Sequence, residues 1–180
     1  TSTDDGLTRL RSNLLVPGIT LASVPEGFLG ESLFSRTLYM EVIGSQKTLG
    51  SDSDFLRLLV QSERQIDLTR RWHLLLRAEL GTSLVKNFDE MPGIYRFFAG
   101  GDRSVRGFGY QTLSPEELRL QRDGSLKLTD VGGRHLLVGS VELVRDLPRN
   151  LAIATFFDAG NAFDHFGDKP ITDIAPDDVD

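Results

Sequence analysis

The stretch RWHLLLRAELGTSL, residues 71–84, places Trp72, Leu74, Leu76, Ala78, Leu80 and Leu84 on one parity and His73, Arg77, Glu79 and Ser83 on the other. Successive side chains of an extended chain point to opposite sides, so an apolar residue at every second position marks a β-strand with one apolar face. A helix would scatter the same residues around its circumference. The pattern recurs in FLRLLVQSERQIDL, where Leu56, Leu58, Val60, Ile66 and Leu68 oppose Arg57, Gln61, Glu63, Gln65 and Asp67, with Arg64 as an exception. Residues 33–44 set Phe34, Leu38, Met40 and Val42 against Ser35, Thr37, Tyr39 and Glu41, with Arg36 as the exception. Further on, Leu137, Val141 and Leu143 oppose Ser140 and Glu142, and Leu151, Ile153 and Phe157 oppose Ala152, Ala154, Phe156, Asp158 and Gly160.

These runs predict an all-β antiparallel meander in one domain over residues 1–180, with strands near 7–24, 32–46, 54–68, 71–85, 134–146 and 150–162. The first alternates poorly and contains Pro17 and Gly18, which predicts a bulge or break there. VPEGFLGE, DLTRR and RDLPRN are short and turn-like, whereas SQKTLGSDSD and above all the loop over 86–133 are long. Short turns at one end and long loops at the other suit an outer-membrane barrel.

Alternation alone leaves two partners open for the apolar face, the second sheet of a soluble sandwich or lipid. Two features favour lipid. Arg57, Glu63, Arg77, Glu79, Glu142 and Asp158 spread both signs of charge over the polar face, as in a water-filled lumen. The strands, at about 12 to 14 residues, exceed the 9 to 11 or so that a tilted transmembrane strand needs. No run of about 18 apolar residues offers a transmembrane helix.

Composition removes other classes. A net charge of -6, with acids and bases interleaved, argues against nucleic-acid binding. The absence of cysteine excludes disulfides, thiolate metal sites and a cysteine nucleophile. His73, His135 and His165 lack the spacing of a zinc site, DAGNAFD lacks the terminal Glu of a calcium loop, and no G-x-S-x-G elbow is present. The expectation is a protein without catalytic activity, cofactor or metal. TSTDDG, with no initiator Met and no signal segment, reads as the start of a piece of a longer mature protein.

The loop holds FFAGGDRSVRGFGY, residues 97–110. Gly100, Gly101, Gly107 and Gly109 permit an anion cradle, but neither a dinucleotide fingerprint nor a P-loop is complete. A soluble β-module gripping an anion with this loop stays as one alternative. Asp158 offers another reading: if it faces a lumen together with Phe156 and Gly160, an inward-folded loop brings Arg106 to it, and a bidentate pair pins the loop. The plainer reading leaves Arg106 solvated and Asp158 ending a strand.

FFAGGDRSVRGFGY, followed by HLLVGSVELVRDLP and ATFFDAGNAFD, closely resembles the carboxy-terminal barrel of the outer-membrane assembly-factor superfamily, the bacterial surface antigen family. Within it the wording is most similar to the TamA branch. The resemblance covers residues 7 to 168 and implies a sixteen-stranded transmembrane barrel in the outer membrane of a Gram-negative bacterium. This chain would supply about six strands of it, the eighth to the thirteenth, and the resemblance implies soluble amino-terminal repeat domains ahead of the barrel. It further implies that Val105, Arg106, Gly107 and Phe108 tip an inward-folding loop, with Arg106 meeting Asp158 of the Phe156, Asp158, Gly160 motif on the barrel wall. Gly107 is expected to allow a close backbone approach and Phe108 to act as a packing wedge. Implied partners are outer-membrane lipid, client outer-membrane proteins or autotransporters, and an inner-membrane-anchored, TamB-like subunit. The implied activity is nucleotide-free assembly or translocation, with a two-partner secretion transporter as the alternative within the family.

Overall fold

The computed structural model describes residues 13–23, 34–120 and 125–165. Six strands form one antiparallel sheet: β1 (Gly18–Ser23), β2 (Phe34–Ser45), β3 (Phe55–Thr69), β4 (Trp72–Val85), β7 (His135–Leu147) and β8 (Leu151–Phe163), in that spatial order. A second, two-stranded sheet of β5 (Glu116–Leu120) and β6 (Leu126–Asp130) stands between β4 and β7 in the chain.

The long strands begin and end within two residues of the positions the alternation predicts. The exception is β1, which starts at Gly18, just after Pro17, while residues 7–12 lie outside the described residues. Pro17 has no amide to give a ladder, yet its carbonyl still accepts a bond from the Gly44 amide at 3.1 Å.

The long loop departs from expectation by having structure of its own. Two short 3-10 turns, Phe88–Glu90 and Gly93–Tyr95, precede the β5–β6 hairpin. Isolated bridges pair Phe97 with Gly133 and Ala99 with Leu113. These bonds satisfy the backbone of a segment that leaves the ladder of the main sheet, as a covered segment requires.

Which parity is covered decides what the sheet faces. The apolar parity is the exposed one: Leu56, Leu80, Leu84, Leu137, Val141, Ile153 and Phe157 are all at least 45% accessible. The loop covers the part of the other parity nearest to it, including Ser45, Ser83 and Ser140, each buried, and leaves Ala152, Ala154 and Phe156 exposed. No second sheet packs on the apolar side among the described residues. The core is therefore small and lies on the polar side, where Phe97, Ala99 and Val105 of the loop meet Leu136, Val138 and Ala162 of the wall.

Candidate functional site: the loop clamp on the inner wall

Strand register builds the inner wall in rungs. Thr37, Glu63, Arg77, Ser140 and Asp158 stand in one row across β2, β3, β4, β7 and β8. Tyr39, Gln61, Glu79, Val138 and Gly160 form the next, and Glu41, Leu59, Gly81, Leu136 and Ala162 the one after. Since directly opposed residues share a face, the β7–β8 side of the wall passes from polar to apolar as the rungs climb toward the loop end, while Glu41 and Arg57 keep the β2–β3 side charged. The loop packs its apolar residues on the upper rungs and reaches the charged rung with Arg106.

There Arg106 donates from Nε to Asp158 Oδ2 at 2.7 Å and from Nη2 to Asp158 Oδ1 at 2.9 Å, while its backbone amide donates to Oδ2 at 3.0 Å. Nη1 donates to Glu142 Oε2 at 2.5 Å and Nη2 to Ser140 Oγ at 3.2 Å. The guanidinium also lies 3.6 Å from the centroid of the Phe156 ring. The Asp158 side chain is 2% exposed and that of Arg106 19%. Planar, two-pronged donation to one carboxylate fixes orientation as well as distance, and the ring face fixes the third direction. The bonds to Asp158 raise the Arg106 guanidinium further above its ordinary range, outweighing desolvation, and those to Glu142 add to the effect.

Neighbouring residues take different parts from those the sequence suggests. Val105 is buried in the core between loop and wall. Phe108 is 54% exposed, so it is not the wedge; that work falls to Val105 and Phe97. Gly107 has open space where a Cβ would stand, so close approach is not its reason either; its φ of +91° is. Close approach does apply at Gly160, where a Cβ would come within 2.6 Å of the Leu137 carbonyl oxygen. Gly100 and Gly101, both at positive φ, turn toward Gly109 and Tyr110 of the same loop and so shape the loop itself.

A second attachment holds the root of the loop. Phe97, 2% exposed, receives the Arg57 guanidinium over its ring at 4.2 Å. Arg57 donates to Glu41 at 2.6 Å, and Glu41 accepts from the Tyr39 hydroxyl at 2.9 Å. Beneath the ring lies Gly81, where a Cβ would fall 2.5 Å from Phe97 Cε1. Sequence reasoning placed Arg57, Glu41 and Glu142 on the polar face but gave them no partner, and it missed Phe97 and Gly81. Glu142 was within reach, because it shares a parity with Ser140 and opposes Phe156.

At the other end of the wall, His73 lies between two carboxylates, 2.6 Å from Asp67 and 2.9 Å from Asp146, joining β3, β4 and β7. No cluster with the donors for a metal ion occurs among the described residues.

A family model described as the Omp85 superfamily domain matches residues 33–176. The outer membrane protein assembly factor BamA of Nitratidesulfovibrio vulgaris is 27% identical over 117 residues, which are 64% of this chain and 14% of that protein. The crystal structure of BamA from Haemophilus ducreyi lacking POTRA domains 1–3 superposes with a TM-score of 0.64 at 20% identity. That match covers 82% of this chain and 29% of the other, and it shows a shared fold. The chain thus spans a minor part of the length of either relative.

Proposed function

Because the chain belongs to the Omp85 superfamily, we propose that it forms part of the wall of an outer-membrane β-barrel that assists insertion or translocation of other envelope proteins in a Gram-negative bacterium. The observation that carries this reading is the Arg106 clamp on Asp158, because it holds a long loop against the polar face of the sheet, the face that would line a barrel's lumen. The exposed apolar parity supplies the lipid-facing side, and about 12 to 15 residues per strand suffice to cross a hydrocarbon layer at a tilt. The work is mechanical, with no nucleotide, cofactor or catalytic residue. Clients are outer-membrane proteins or autotransporters.

Within the superfamily the TamA branch is our preferred placement, with an inner-membrane-anchored, TamB-like partner. Its support is the wording of the loop and β8 motifs. Co-purification of such a partner with the full-length parent separates this placement from a two-partner secretion transporter, which instead releases one dedicated client to the medium. An anion-gripping soluble module is disfavoured by the seven large apolar side chains that face out of the sheet.

The clamp is tested in the full-length parent by following client barrels as they acquire heat-modifiable mobility in gels. Arg106→Ala and Asp158→Ala are each expected to slow client assembly at least about tenfold while the parent barrel still folds. Wild-type assembly rates in both variants would falsify the clamp's part in the function.

A further inference from the structure

The two short turns at the end of the sheet opposite the long loop lie side by side. The β3–β4 turn holds Arg70 and Arg71, and the β7–β8 turn holds Arg149; the Asp146 amide donates to the Arg71 carbonyl at 2.9 Å, tying one to the other. Arg145 stands opposite Trp72 in the β4–β7 pairing, on the outward parity, with its guanidinium 5.2 Å from the centroid of the indole ring. Arg70, Arg71, Arg145 and Arg149 are all exposed. Above them on the same face come Leu74, Leu76, Leu143 and Val141.

Acids at this end are sorted to the other side. Asp67 and Asp146 share the inward parity and engage His73. This rim therefore carries four exposed arginines, with Arg145 and Trp72 on the outward parity, while the strand acids Asp67 and Asp146 stand on the inward one, in a chain whose net charge is -6. The loop end is different: Asp52, Asp54, Asp89, Glu90, Glu116 and Glu117 stand among its cations.

We infer that this rim is a docking surface for the phosphates of anionic phospholipid in the periplasmic leaflet. The argument is charge complementarity placed at the right height. Short turns are the periplasmic end of an outer-membrane barrel, and tryptophan settles where acyl chains give way to headgroups. Guanidinium groups one turn below an apolar belt reach phosphate oxygens, and each cation near an anionic membrane surface strengthens association roughly fivefold. Arg145 is held over Trp72, which positions one cation in advance. The inference rests on the membrane reading above, adding which leaflet and which lipid chemistry the wall selects.

The test uses the full-length parent reconstituted in phosphatidylcholine vesicles doped with spin-labelled phosphatidylglycerol or spin-labelled phosphatidylcholine. Carbonate-resistant insertion into plain phosphatidylcholine reports the membrane reading by itself. Immobilised phosphatidylglycerol relative to phosphatidylcholine reports the docking surface. The wild-type protein is expected to insert and to prefer phosphatidylglycerol by about threefold or more. The preference falls toward unity in about 0.5 M salt, which shortens the Debye length to a few ångströms. A variant combining Arg70→Gln, Arg71→Gln, Arg145→Gln and Arg149→Gln loses it, and the same four positions changed to Lys keep it. Normal insertion with no lipid preference, or a preference indifferent to salt, overturns the docking surface and leaves the membrane reading standing. Failure of the wild type to insert overturns both. If the Gln variant does not fold, the salt series on the wild-type protein still decides.

Discussion

Ser140 and Val141 are neighbours in β7 and live in opposite environments. Ser140 is 5% exposed and sits among Arg77, Arg106 and Asp158, whereas Val141 is 46% exposed and opposes Leu76 on the outward face. The sheet as a whole repeats this inversion: polar parity in, apolar parity out. A water-soluble sandwich is assembled the other way, because removing apolar surface from water drives its folding. When the outer solvent is hydrocarbon that drive vanishes for the outward face. Cohesion must then come from the ladder and from charges and hydroxyls that pair across the inner wall.

The strongest way to break the inner side is to orphan the clamp. Asp158→Ala removes the acceptor of three Arg106 donors and leaves a cation, 19% exposed, with Glu142, Ser140 and the Phe156 ring. Breaking one partner of a buried pair costs about 3 to 5 kcal/mol, and urea unfolding of the parent from vesicles is expected to show a loss near the lower bound, since Glu142 remains. On the outer side, Val141→Arg places a charge at the middle of a 13-residue strand. An arginine at the bilayer midplane of such a barrel costs about 2 to 4 kcal/mol. The same substitution on a sheet facing water would cost little, so an unchanged urea midpoint sinks the lipid-facing assignment.

Next in size is the root of the loop. Gly81→Ala drives a methyl into the Phe97 ring, and overpacking of this kind costs about 1 to 3 kcal/mol. Phe97→Leu in the same molecule removes the colliding ring atoms, so the double variant is expected to recover part of the loss. A double variant worse than the sum of its parts would show that Gly81 is not a socket for Phe97.

How much of this was legible depends on how local each signal is. Strand limits were, because period two is written in consecutive residues. Arg106 and Asp158 were legible through a resemblance between motifs some fifty residues apart, with parity as the only physical hint. The β5–β6 hairpin was not, although Leu118, Leu126 and Leu128 alternate with charges, because five-residue strands give too few periods to stand out. Phe97, Gly81 and Arg57 were not legible either. Their meeting is set by how the loop folds back on β3 and β4, and no spacing along the chain records that. Gly107 was misread for a related reason: a glycine's sequence does not say whether it serves φ or clearance.

The smallest predicted effect separates the two faces most finely. Ser140 Oγ accepts from Arg77 Nη2 at 3.3 Å and from Arg106 Nη2 at 3.2 Å. Two guanidinium groups thus share one hydroxyl, whose oxygen has two lone pairs and can accept both. Ser140→Ala removes that shared acceptor but leaves the bidentate Arg106–Asp158 contact intact, so the cost is that of one net hydrogen bond, about 1 kcal/mol. Val141→Ala, one residue away, trims apolar surface that on the proposed reading faces hydrocarbon whether or not the loop is attached, and is expected to cost less. The discriminating readout is proteolysis of the loop near Arg103: Ser140→Ala should raise the cleavage rate severalfold while Val141→Ala leaves it unchanged. Equal rates in the two variants would mean that the polar wall holds the loop no better than the outward apolar side does, and the difference between faces would then be one of composition without consequence for the clamp.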